Sequence, residues 1–185
     1  MTQPPEDITL TKPVLETVAI AQEFCNYLDT CESNSAKGVM EFMHRILPLL
    51  YLKGSFLPKV DVEYPEANER FVTLEQWENM FYMLRDKFGN NDEYWIINPE
   101  LINENEPVKA SLSENITDIY QDLKDFVLLF KKNTHAARQN AVAECKLLFE
   151  THWGYRIGNI IPKVHSVLYE NAGDPPAYQQ SLDLI

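Results

Sequence analysis

Glycine is scarce in this chain, six residues in 185, and the six are scattered. No nucleophile elbow, P-loop or dinucleotide fingerprint is present, so the chemistries those glycine-dependent turns serve are excluded. Cysteine is scarce too. Cys25, Cys31 and Cys145 are odd in number, lie inside helical patterns and lack metal-ligand spacing, which predicts buried, reduced thiols. The four histidines are isolated from the cysteines in sequence, so no Cys–His pair is legible. Positive charge is short as well. Acids outnumber bases 28 to 16, for a net charge of −12, and no basic cluster compensates locally. Nucleic acid and anionic membrane surfaces are therefore poor partners. No apolar run approaches the ~18 residues that span a bilayer. The start, MTQPPEDITL, has neither the basic nor the apolar region of a signal peptide, and the expected location is the cytoplasm.

What is present is amphipathic helix. At this length a single domain buries about 70% of its unfolded surface without staples. The expected organisation is a flexible stretch at 1–10, one helical domain at 11–171 and a tail at 172–185. Thr11 before Lys12 and Pro13 starts a helix whose inward stripe is Val14, Val18, Ala21, Phe24, Cys25 and Leu28. A second helix, capped by Ser33 or Ser35, turns Val39, Met43, Ile46 and Leu50 inward, and Pro48 predicts a bend near His44. Residues 53–72 show no helical period, and prolines flanking the alternating VDVEY argue against a central strand.

Thr73 and Gln76 predict a capping box, with Val72 and Trp77 placed as a hydrophobic staple. Trp77, Phe81, Leu84 and Phe88 then face inward and Gly89 closes the helix. Residues 90–110 read as a second irregular segment, whose patch from Tyr94 to Ile97 either packs over the core or serves recognition. Ser111 and Glu114 predict another capping box, opening a helix with Ile116, Ile119, Tyr120, Leu123, Phe126, Val127 and Phe130 on one face. A short turn at Asn133 and Thr134 makes the next helix its antiparallel neighbour.

That next stretch, from Thr134 to Glu170, carries the polar residues that look out of place. Ala141, Cys145, Leu148 and Phe149 form one stripe, and Arg138, His152 and Arg156 fall on it. Further on, Ile157, Ile160, Ile161, Val164 and Leu168 form a stripe rotated by roughly a quarter turn. Gly154, Gly158 and Pro162 predict a kink or break in this region, with His152, Trp153, Tyr155 and Arg156 at the joint.

Two readings of the joint follow. In one, Arg138, His152, Trp153 and Arg156 form a small anion-binding pocket: Arg156 clamps a carboxylate or phosphate, His152 donates a hydrogen bond and Trp153 forms a wall. In the other, Arg156 pairs with a buried acid, His152 bonds a backbone carbonyl and Trp153 fills the space the glycines leave. Glu150 lies to the side of the stripe. Metal chemistry has weaker candidates. Glu75 and Glu78 have magnesium spacing but occupy a first turn, where glutamate suits the helix dipole alone. Glu41 with His44, and Asp118, Asp122 and Asp125, are spaced for ligation. Yet Glu41, His44, Asp118 and Asp125 are placed by periodicity off the apolar faces, where a bundle-core metal could not use them.

DIYQDLKDFVLLF, followed by LLFETHWG and a hydrophobic helix, resembles an uncharacterised bacterial all-helical family, domain of unknown function 5063. ILPLLYLKG, with its leucine–proline soon after, resembles the same family, and the most specific piece is FETHWG, Phe149 to Gly154. The similarity covers most of the chain. It implies an all-helical bacterial domain and brings no known activity, cofactor or catalytic residue. The expected fold is all-α, an irregular bundle of five to seven helices. The expected function is a non-catalytic cytoplasmic module, without cofactor, binding a protein partner or a small anionic ligand. The alternative is a metal-dependent hydrolase of a phosphorylated small molecule or nucleotide.

Overall fold

Most helix starts have a local cause. In the computed structural model, which describes residues 7–97 and 107–169, Pro13 stands in the first turn of α1 (Lys12–Asp29), where its missing N–H is no loss. Ser35 caps α2 (Ala36–Ser55), its Oγ accepting from the Gly38 N–H at 3.1 Å. Thr73 and Gln76 complete both halves of the capping box on α3 (Leu74–Phe88), at 3.2 and 3.0 Å. Gly89 ends that helix at φ 52°, a conformation glycine adopts without penalty. Pro48 lies inside a continuous α2, and residues 60–64 form no strand.

The segment expected to be irregular at 90–110 contains a hairpin. Strand β1 (Glu93–Ile97) pairs antiparallel with β2 (Pro107–Ser111), Tyr94 opposite Ala110 and Ile96 opposite Val108. The aromatic and β-branched residues of EYWII favour that pleated arrangement over a loop. Tyr94 is half-buried, its hydroxyl accepting from Asn115 Nδ2 at 3.2 Å, whereas Trp95 is 67% exposed. The rest of that expected loop, 98–106, lies outside the described residues.

Helix α4 (Leu112–Lys131) forms the centre, touching α1, α3, α5 (His135–Thr151) and α6 (Trp153–Tyr169). Its apolar face is buried as the periodicity predicts, but so are Asn115, Thr117, Asp122 and Asp125. A helix surrounded on several sides has no solvent face to give its polar residues, and each must find a partner inside. Asn133, at φ 57°, turns the chain from α4 into α5. With six helices and one small hairpin among the described residues, the architecture is a mostly all-α bundle. No helix among them is long and apolar enough to cross a membrane.

The break in the last helical stretch falls at His152, two residues ahead of Gly154, where φ is −140° and ψ −85°. Glycine at 154 is required by close approach: a Cβ there would sit 2.3 Å from the carbonyl oxygen of Phe149. Trp153 turns into the core with no exposed surface, its Nε1–H donating to the Cys145 carbonyl at 3.2 Å. It lies so close to α2 that a Cβ on Gly54 would fall 2.3 Å from its ring. Beyond the break α6 continues through Gly158 and Pro162.

Residues 7–10 belong to the stretch expected to be flexible. Ile8–Leu10 form a 3-10 turn and Thr9 is fully buried. Residues 1–6 and the expected tail at 172–185 lie outside the described residues.

Candidate functional site

The break at His152 brings its ring and the first turn of α6 over the polar side of α4. His152 Nδ1 lies 2.5 Å from Asp122 Oδ2, and its Nε2 lies 2.9 Å from Arg156 Nε. A guanidinium nitrogen can only donate, so Nε2 is the bare nitrogen and Nδ1–H points at Asp122. Arg156 Nη1 donates to Asn115 Oδ1 at 2.9 Å, and Nη2 pairs with Asp118 Oδ2 at 2.7 Å. Asp118 Oδ1 accepts from Trp77 Nε1 at 2.8 Å.

The network continues past Asp122. Its other oxygen lies 3.7 Å from Arg70 Nη1, which donates to Asp125 Oδ2 at 3.3 Å. Arg70 Nη2 donates to Glu144, and Asp125 Oδ1 accepts the backbone N–H groups of Phe71 and Val72 at 2.7 and 2.9 Å. One polar chain therefore crosses the bundle from α3, through α4 and the break, to the connector before Thr73. Asp122 and Asp125 are about 6% and 4% exposed. Charges this buried are tolerated only when paired and hydrogen-bonded, and these are.

On its outer side the network borders a cleft of about 350 Å³. The hairpin contributes Ile96, Lys109 and Ala110, and the start of α4 contributes Glu114 and Asn115. The break and α6 contribute Thr151, His152, Tyr155, Arg156 and Asn159. The Arg156 side chain is 26% exposed, and Lys109 is paired with Glu93.

Of the four residues expected to form a pocket, the cleft unites only His152 and Arg156. Arg138 lies at the opposite end of α5. Its Nε donates to Thr9 Oγ1 at 3.1 Å, Nη1 to the Asn133 carbonyl at 2.9 Å, and Nη2 to Asp7 Oδ2 at 2.7 Å. There it fastens residues 7–10 to the α4–α5 turn. Hydrogen bonds from Thr9, with the Arg138 guanidinium second among the favourable contacts, hold the Asp7 carboxyl well below the usual range, against the opposing effect of burial. Helical periodicity aligns Arg138 with Arg156 but is blind to the distance between them: the break at His152 comes fourteen positions after Arg138, almost four helical turns along α5. Trp153 is a core residue, because the break rotates it away from the His152 ring.

The other candidates are also dispersed. Glu150 is exposed and pairs with Lys146 at 3.3 Å. Glu75 and Glu78 are exposed on α3. Glu41 sits 3.8 Å from Lys37, and the His44 ring packs against His165 and Tyr169. No group of three or more potential metal-ligating side chains exists among the described residues. Asp118 and Asp122 are the partners that Arg156 and His152 needed, whereas Arg138 pairs with Asp7 and Asp125 serves Arg70. The outward placement expected for Asp118 and Asp125 is corrected, because α3 and the connector cover that side of α4. Lys109, Asn115, Tyr155 and Asn159 went unread as site residues. A buried asparagine one turn from Asp118 was the available signal.

A family model for a domain of unknown function, DUF5063, matches residues 9–170. The chain belongs to the DUF5063 family. The crystal structure of protein BF1032 from Bacteroides fragilis is similar, with a TM-score of 0.76 and 33% sequence identity over 88% of this chain and 99% of that one. No curated protein matches. The DUF5063 match opens at Thr9, the residue that Arg138 grips, and takes in the hairpin, the break and the whole polar network. An activity for this DUF5063 chain has to be argued from the cleft itself.

Proposed function

We propose that this DUF5063 chain is a non-catalytic, cytoplasmic binding module that holds a small anionic ligand in the cleft beside Arg156. The observation that carries this reading is the fixed guanidinium. Of its five N–H groups, one goes to His152, one to Asn115, and Nη2 faces Asp118. At least two N–H donors remain for a ligand, on a side chain whose orientation is already set. Preorganisation of that kind raises affinity by removing the ordering cost from the binding step, and a guanidinium matches a carboxylate or phosphate through paired hydrogen bonds.

The volume, about 350 Å³, suits a small molecule better than a protein surface. Acid–base catalysis by His152 is disfavoured, because the nitrogen that would meet a substrate already accepts from Arg156. A hydrolase built on Glu75 and Glu78 lacks support, since both lie on an exposed face away from the cleft. The unpaired, buried thiols suit a reducing compartment.

Thermal shift with a series of small carboxylates and inorganic phosphate tests the reading. A ligand at one hundred times its Kd raises the melting temperature of a domain this size by roughly 5–10 °C. Asn159→Ala and Tyr155→Ala, whose side chains make no hydrogen bond among the described residues, should lower that shift while leaving the free protein's melting temperature unchanged. No shift with any anion, or a shift indifferent to both variants, would refute it.

A further inference from the structure

We infer that the ligand is a small zwitterion, an amino acid or a close relative, bound with its carboxylate at Arg156 and its ammonium at Glu114. The inference rests on the binding reading of the cleft and sharpens it to a ligand class. Its starting point is the charge lining the site. Lys109 and Arg156 are the cations, and each already faces a carboxylate, Glu93 and Asp118 respectively. Glu114 is the third charged side chain on the cleft wall and has no ion-pair partner among the described residues. Two cations against three carboxylates leave an excess of one negative charge. A ligand carrying only negative charge meets a donor at Arg156 and repulsion from the surroundings. A ligand that also carries an ammonium meets an acceptor for each end.

Glu114 is free for a structural reason. Its spacing from Ser111 predicts a reciprocal capping box, but only half of it forms. Ser111 Oγ accepts from the Glu114 N–H at 3.1 Å, while the Glu114 side chain does not return the bond. Ser111 is at the same time the last residue of β2, opposite Glu93, and Asp92 supplies further helix-start contacts, its Oδ1 accepting from the Ser113 N–H at 2.7 Å. The carboxylate released from capping duty is exposed on the cleft wall, next in sequence to the Asn115 that orients Arg156. Ile96 and Tyr155 offer apolar surface for the remainder of the ligand. Phosphate, which brings charge of one sign only, fits this arrangement less well than a zwitterion does.

Isothermal titration with free α- and ω-amino acids, their N-acetylated counterparts and inorganic phosphate tests the assignment. At least one free amino acid should bind ten-fold or more tightly than its N-acetyl form. Glu114→Gln should erase that preference, weakening the free amino acid while leaving the N-acetyl form unchanged. The substitution is on an exposed side chain, so the fold and melting temperature of the free protein should not move. Equal affinity for the free and acetylated forms, or a preference for phosphate, would overturn the zwitterion and leave the anion-binding reading standing. Binding of none of these probes would overturn both.

Discussion

Gly154 and Gly158 stand one turn apart in the same helix, and replacing each with alanine should change stability in opposite directions. Alanine in a helix interior is favoured over glycine by about 1 kcal/mol. At Gly158 nothing lies within 4 Å of the added methyl group, so that gain should be realised in full. At Gly154 the methyl group would meet the Phe149 carbonyl oxygen at 2.3 Å and its ring at 2.9 Å. The oxygen belongs to the backbone and can yield only if the last turn of α5 unwinds. Overpacking of this type costs about 1–3 kcal/mol, and backbone as the obstacle puts it at or above the upper end. The net loss for Gly154→Ala is then about 2 kcal/mol or more. At roughly 2–4 °C per kcal/mol for a domain of this size, Gly158→Ala should melt about 2–4 °C higher than wild type and Gly154→Ala about 4–8 °C lower. Thermal and urea unfolding followed by circular dichroism gives both numbers. If the two variants shift in the same direction, the break is not where the His152 backbone puts it.

Two further perturbations test the ends of the account. The depressed Asp7 carboxyl contributes stability that is present above its unfolded value, about pH 4, and is lost as pH falls through the lower folded value. Asp7→Asn should therefore be less stable than wild type near neutrality, and the two unfolding curves should converge in strong acid; a pH-independent gap would contradict the Arg138 anchor. Burial pushes the Cys25 thiol up to about 12 and also raises Cys31 and Cys145. A disulfide reagent at about pH 8 should titrate no thiol in the native protein and all three in denaturant, and fast labelling of native protein would show that the core opens.

The bundle was legible because its apolar residues recur at helical spacing and its caps are local. Ser35, Thr73 with Gln76, and the stripe from Ile116 to Val127 each report on neighbours a few residues away. The hairpin escaped because its two strands have nine intervening residues and a sequence too short to declare a period. The site was half legible. His152 and Arg156 stood out as polar groups on an apolar face, and one physical rule, that such groups need partners, is enough to single them out. Their acidic partners on α4 were visible within a set of three aspartates, of which Asp118 and Asp125 read as facing away from the core, since helical periodicity for one helix assumes one buried side. Asp125, which accepts from two backbone N–H groups of the connector, shows why that assumption failed. Arg138 was drawn into the site by periodicity alone, and only the folded chain shows that its partners are Thr9, Asp7 and Asn133.

The state of one imidazole tests the central claim most directly, that the break at His152 builds a fixed, ligand-ready Arg156. Nitrogen-15 NMR of the His152 ring distinguishes its two nitrogens. The account requires the proton on Nδ1, toward Asp122, and a bare Nε2 coupled across a hydrogen bond to Arg156. A proton on Nε2 would remove the acceptor that orients the guanidinium, and the preorganised site would not exist.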